Sequence, residues 1–150
     1  MENISIVNKR CFGCTACVSI CPTNAIKMCE NEEGFLYPKI DSEKCIYCGK
    51  CLKTCPVYIT SKDKSEEKIT IGAYINTNKS ILERSTSGGF FSAVIEEFNP
   101  DYVCGAILDE DLTVHHVVSN SEGNIDKMRG SKYVQSDLQD CYSSIRDKLR

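Results

Sequence analysis

Eight of the eleven cysteines fall in two copies of one run, C-x2-C-x2-C-x3-C-P: Cys11, Cys14, Cys17 and Cys21 before Pro22, then Cys45, Cys48, Cys51 and Cys55 before Pro56. Thiolates this closely spaced can curl around one face of an iron–sulfur cube while loop N–H groups point at its sulfides. The fourth ligand must come from elsewhere, and the pattern predicts that the last cysteine of each run serves the other run's site. Cys11, Cys14, Cys17 and Cys55 are therefore expected to hold one 4Fe-4S cluster, and Cys45, Cys48, Cys51 and Cys21 the second. Pro22 and Pro56 favour an extended cysteine before them and a helix directly after, which throws Cys21 and Cys55 away from their own loops.

Other uses of cysteine fit less well. Zinc sites prefer paired C-x2-C knuckles without a third cysteine at the same spacing. A disulfide framework needs an oxidising compartment, yet the opening MENISIVNKRC has neither an apolar core nor a small-residue cleavage site, so a cytoplasmic location is expected. The radical-forming run C-x3-C-x2-C does not occur, and four thiolates per site leave no open iron for a substrate. The chemistry expected is one-electron transfer, with no general acid or nucleophile. It would be tuned by hydrogen bonds to sulfur and by burial under Phe12, Val18, Ile20, Ile46 and Leu52.

The elements that must position these ligands are short. Ala25–Glu30 and Phe35–Asp41 read as two strands around the turn Asn31-Glu32-Glu33-Gly34, half of a ferredoxin-type βαβ plan. Cys29 lies in the first strand, outside both runs, and reads as a half-buried thiol. The first 60 residues thus form a pseudo-twofold, dicluster ferredoxin-type domain whose core is largely inorganic. A charged linker, 61–68, follows.

Residues 69–150 have another texture. Ile69–Ile75 reads as a strand. Ser87 is expected to cap a helix over Gly88–Phe98, with Phe90, Phe91, Val94, Ile95 and Phe98 on one apolar face and Asn99-Pro100 as the stop. Tyr102–Leu108 and Thr113–Ser119 alternate as two strands joined across Asp109-Glu110-Asp111. A last helix, Asp137–Leu149, is expected to be capped by Ser136 and to bury Leu138, Cys141, Tyr142, Ile145 and Leu149. The sequence therefore predicts an α+β chain: a ferredoxin-type domain followed by a small α/β domain that reads as incomplete, with an edge and an apolar helix face in need of a partner. Cys104 and Cys141 read as core thiols. His115 and His116 should face opposite ways on their strand and cannot share a metal.

Composition excludes some partners. Net charge is −3, from 18 basic and 21 acidic side chains, without a basic cluster that could take nucleic acid. No apolar run is long enough to span a bilayer.

The dicluster run, followed by STSGGFFSAVIEEF (85–98), YVCGAIL (102–108) and RGSKYVQSDL (129–138), resembles the coenzyme F420 hydrogenase/dehydrogenase beta-subunit family. The resemblance implies an FAD-dependent oxidoreductase that passes electrons between a donor such as reduced deazaflavin, the flavin and the clusters. It also implies a flavin site at Ser87, Gly88 and Gly89, whose N–H groups at a helix start could cradle a phosphate, together with Lys132, Tyr133 and Ser136. Family members continue into a further strand, a Cys-containing loop and a C-terminal domain. FAD is accordingly expected only in a complete protein or complex, and the partner is expected to be that missing domain or subunit, or a separate redox protein. A stand-alone adaptor whose second half only docks a redox partner is the alternative, and a scaffold with purely structural clusters is a third.

Overall fold

A computed structural model describes residues 2–60 and 70–150. The linker expected at 61–68 lies outside the described residues. The chain divides into two compact units, Met1–Glu67 and Lys68–Arg150.

The first unit opens with a 3-10 segment, Ile4–Arg10, broken by a kink at Asn8 (φ 45°), whose start is capped by the Asn3 side chain accepting from the Ser5 N–H. Ile4 and Val7, three residues apart, turn inward from it and are each 2 % exposed. Helix α1 (Ala16–Ser19) then leads to an antiparallel pair, β1 (Ile26–Glu30) and β2 (Leu36–Ile40), in the register Ile26 to Ile40. This is the expected hairpin. The Asn31 side chain forms its turn by accepting from the N–H groups of Glu33 and Phe35. Helices α2 (Lys50–Lys53) and α3 (Pro56–Thr60) follow. The core joins Ile4, Val7, Ile26, Leu52 and Val57 to the thiols of Cys17 and Cys55. Two of its seven buried residues are thiols, and the few aliphatic side chains leave little apolar area to hold it.

The second unit contains α4 (Lys79–Glu83), α5 (Phe90–Phe98), an antiparallel pair β3 (Val103–Leu108) and β4 (Val114–Ser119), α6 (Glu122–Met128) and α7 (Cys141–Lys148). The β3–β4 pair and the Asn99 stop match the sequence reading, with Asn99 in the left-handed region at φ 40°. Between the strands, Asp111 accepts from the Thr113 N–H and hydroxyl. Helix α6 packs on β3 because Gly105 has no Cβ; one added there would come within 2.8 Å of the Met128 sulfur.

Five expectations are corrected. Residues 70–75 form no strand, and Ile69 lies outside the described residues. Ile71 and Ile75 are 92 % and 71 % exposed, and without a partner ladder β-propensity alone does not hold a strand. Helix α5 begins at Phe90, with Gly89 rather than Ser87 as its N-cap. Its expected apolar face is largely outside: Phe90 is 68 % and Phe98 76 % exposed, while Ser92 on the other side is buried. Helix α7 begins at Cys141 instead of Asp137, because the Asp137 backbone pairs with β4, donating to Val114 O and accepting from the His116 N–H. The sheet of this unit is an antiparallel pair with one isolated parallel bridge, His115 to Asp137, so it is α+β in character and has no βαβ layer among the described residues.

Candidate iron–sulfur centres

The two cysteine loops repeat one backbone conformation. Positive φ occurs at Gly13 (69°) and Thr15 (54°) in the first and at Tyr47 (53°) and Gly49 (70°) in the second, the third and fifth positions of each run. Helices α1 and α2 start immediately after the fifth position in both. Alternation between left- and right-handed backbone turns successive N–H groups into one concavity, a shape that receives anions and the sulfides of iron–sulfur centres. Those four positions escaped the sequence reading. Laying one repeat over the other would have found them, since each pair contains one glycine.

Two small pockets sit at these loops. The larger is lined by Cys21, Cys45, Cys48 and Cys51, the smaller by Cys11, Cys14, Cys17 and Cys55. Each therefore has three cysteines of one run and the last cysteine of the other on its wall. Pro56 starts α3 as expected, whereas Pro22 enters a turn that passes through Asn24 at φ 51° into β1. That turn brings the Ala25 N–H to 3.3 Å from Cys21 Sγ. The Gly13 N–H lies 3.3 Å from Cys11 Sγ.

The thiols respond to these surroundings. Burial first, then the neighbouring Cys11 and Cys14, pushes Cys17 up to about 12. Cys11 is also raised, chiefly by burial and further by Cys14 and Cys55, against the pull of the Gly13 N–H. Burial would raise Cys21 too, but hydrogen bonds led by the Ala25 N–H and by Thr23 outweigh it and hold its thiol below the ordinary value. Among the described residues no three His, Cys, Asp or Glu side chains converge closely enough for a single metal ion. The thiols are spaced around a cavity rather than a point, which fits a polynuclear cluster better than tetrahedral zinc with bonds of about 2.3 Å.

Of the aliphatic and aromatic residues expected to bury these centres, Leu52 is in the core and Val18 packs against it. Phe12 and Ile46 instead line the two cavities while remaining 69 % and 62 % exposed, and Ile20 is exposed on the surface. Cys29 is exposed rather than half-buried, and so is Cys104, while Cys141 is buried.

The residues of the expected flavin site are divided. Ser87, Gly88 and Gly89 line one open cavity together with Met128, Arg129, Gly130 and Ser131, so two of the three resemblance segments do meet. Gly88 is required there because an added Cβ would collide with the Tyr74 carbonyl. Lys132 and Tyr133 line a different cavity, with Leu108, Leu112 and Val114. Lys132 Nζ donates to the carbonyls of Lys127, Arg129 and Gly130 at 2.7, 2.8 and 3.2 Å, closing the end of α6. Ser136 hydrogen-bonds His116 Nδ1 at 2.9 Å. His115 Nδ1 pairs with Asp109 instead, 3.1 Å away, so the two histidines are used separately, as expected. Arg129, which the sequence reading did not single out, holds the buried Ser92 hydroxyl at 2.6 Å and Asp126 at 3.0 Å beside the first of these cavities.

Comparison with known protein families gives a 4Fe-4S dicluster domain at residues 10–59, and a second 4Fe-4S dicluster model matches residues 37–85. The two overlap across the second cysteine run, and 56–85 contains no cysteine, so together they describe one pair of centres. The matches support an iron–sulfur electron-transfer role. No curated protein matches the chain. None of the comparisons supports the coenzyme F420 family or FAD. No helix among the described residues is long and apolar enough to cross a membrane.

Proposed function

We propose that the first unit carries two 4Fe-4S clusters by crossed ligation and relays single electrons to or from a flavin-dependent oxidoreductase. The carrying observation is the lining of the two cavities, three cysteines from one run and the last from the other in both. When bound, each cluster supplies a reversible one-electron couple. The chain's own residues do the rest. Cys11, Cys14, Cys17 and Cys55, and likewise Cys45, Cys48, Cys51 and Cys21, would close the iron coordination and leave no site for substrate. The N–H groups around Gly13, Thr15, Tyr47 and Gly49 would stabilise the added negative charge of the reduced state. Phe12 and Ile46 at the cavity mouths would limit water, and with it the polarity that sets the potential.

The flavin side of the proposal rests on the resemblance of residues 85–98 and 129–138, and is supported by the cavity that Ser87–Gly89 share with Met128–Ser131. A docking role for the second unit without flavin is the competing reading, favoured by the exposed Phe90 and Phe98 of α5. Anaerobic reconstitution followed by electron paramagnetic resonance tests the relay: two interacting one-electron centres are expected after reduction. Zinc without sulfide, or centres that cannot be reduced reversibly, would overturn it. Flavin content of the purified partner complex then separates the two readings of the second unit.

A further inference from the structure

In the second unit two thiols meet outside the cluster cavities. Cys104 on β3 and Cys141, the first residue of α7, bring their sulfurs to 3.2 Å, although 37 positions separate them in the chain. Their environments are unequal: Cys104 is exposed to solvent, whereas Cys141 is 3 % exposed. The pair belongs to no metal-ligating group among the described residues. A disulfide needs sulfurs about 2 Å apart, so a shift of about 1 Å along the existing contact suffices.

We propose that Cys104 and Cys141 form a thiol–disulfide switch, oxidised to an intramolecular disulfide by a low-molecular-weight disulfide. The exposed Cys104 acts first. Its thiolate attacks one sulfur of the oxidant RSSR, forms the mixed disulfide Cys104–S–S–R and expels RS⁻, which takes up the proton that Cys104 gave to solvent. Cys141 then loses its proton and attacks Cys104 Sγ, expelling the second RS⁻. The two thiols lose two electrons and two protons in total, and RSSR becomes two RSH. The exposed sulfur is thus the nucleophile, and the buried one, out of reach of any bulky oxidant, resolves the mixed disulfide. The product staples the start of α7 to β3 and ties the last helix to the hairpin. Burial also raises the Cys141 thiol, which slows resolution near neutral pH.

Cys29 is a control within the same chain: it is exposed on β1 opposite Tyr37, and no paired sulfur is recorded for it among the described residues. The full chain with its clusters assembled is treated anaerobically with oxidised glutathione, alkylated with N-ethylmaleimide and digested with trypsin without reduction. Cys104 lies in the fragment Ser85–Lys127 and Cys141 in Tyr133–Arg146, each the sole cysteine of its fragment. The expected result is these two fragments joined in a chain that stays monomeric on a non-reducing gel, loss of both thiols to alkylation, and only a mixed disulfide at Cys29. Dithiothreitol restores both thiols. In Cys141→Ser the reaction stops at glutathione on Cys104. The proposal is overturned if wild-type Cys104 accumulates as the mixed disulfide with Cys141 alkylated. It fails equally if both thiols stay reduced while Cys29 reacts, or if the link joins two chains.

Discussion

Gly49 supplies a left-handed torsion, φ 70°, at the fifth position of its cysteine run, and a Cβ added there would touch nothing within 4 Å. Gly49→Ala therefore tests conformation without a steric clash. A loss of about 1–2 kcal/mol is expected from the backbone penalty alone, read from denaturant melts of the cluster-loaded protein. An unchanged melt would show that the loop does not need this conformation. The corresponding Thr15 adopts φ 54° despite its branched side chain, and Tyr47 does the same at φ 53° where the first loop has Gly13, so each loop carries one strained residue and relieves the other with glycine. At Cys141 the sign of a pH effect can be fixed. Its thiol is raised from 9.0 to about 12, by burial first and then by Cys104, so the fold favours the neutral form. That contribution is fully present below pH 9.0 and is lost as pH rises through about 12. Under reducing conditions, wild type should lose thermal stability over this window relative to Cys141→Ala, whose own cost at neutral pH should be roughly 0.5–3 kcal/mol. Parallel pH profiles for the two proteins would contradict the assignment.

Among the elements, those whose causes are local were legible in the sequence. Asn31 and Asp111 organise their turns by bonding backbone two residues or more ahead, and both hairpins stand where alternation and turn chemistry placed them. Elements whose limits depend on distant partners were misread. Asp137 has the composition of a helix start, but its N–H and carbonyl are already engaged by β4, and the helix waits until Cys141. Lys132 illustrates the same difficulty in a candidate site: a lysine in a resemblance segment is spent on three carbonyls at the end of α6. Lys132→Met should consequently fray α6 and destabilise the second unit by about 1 kcal/mol, visible as faster amide exchange near Met128. The crossed walls of the two cavities lead to another expected outcome. Cys21→Ala should damage the centre bounded by Cys45, Cys48 and Cys51 and spare the one bounded by its sequence neighbours. Spectroscopy of single-centre variants decides this, and damage confined to the neighbours' centre would refute the pairing.

For the whole molecule, the two units draw on different sources of stability. The first has a core in which Cys17 and Cys55 stand beside a handful of aliphatic residues, so its folding and its metal binding should be one equilibrium. About eight iron and eight sulfide per chain are expected. Stripping them with a chelator should expose residues 10–59 to proteolysis while the β3–β4 region stays protected. Equal protection of both units after iron loss would show that the first holds itself together.

The shared walls of the cavities also bear on how the chain is made. Synthesis proceeds from the N-terminus, and the first cavity to receive all its cysteines does so only when Cys51 has been added; the second waits for Cys55. Cys11, Cys14 and Cys17 emerge early and lack their fourth ligand throughout that interval. Complete ligation of either centre accordingly follows emergence of nearly the entire first unit from the ribosome, and both ligand sets are completed within a few residues of each other. A nascent chain stalled between the two cysteine runs should carry no centre with four cysteine ligands.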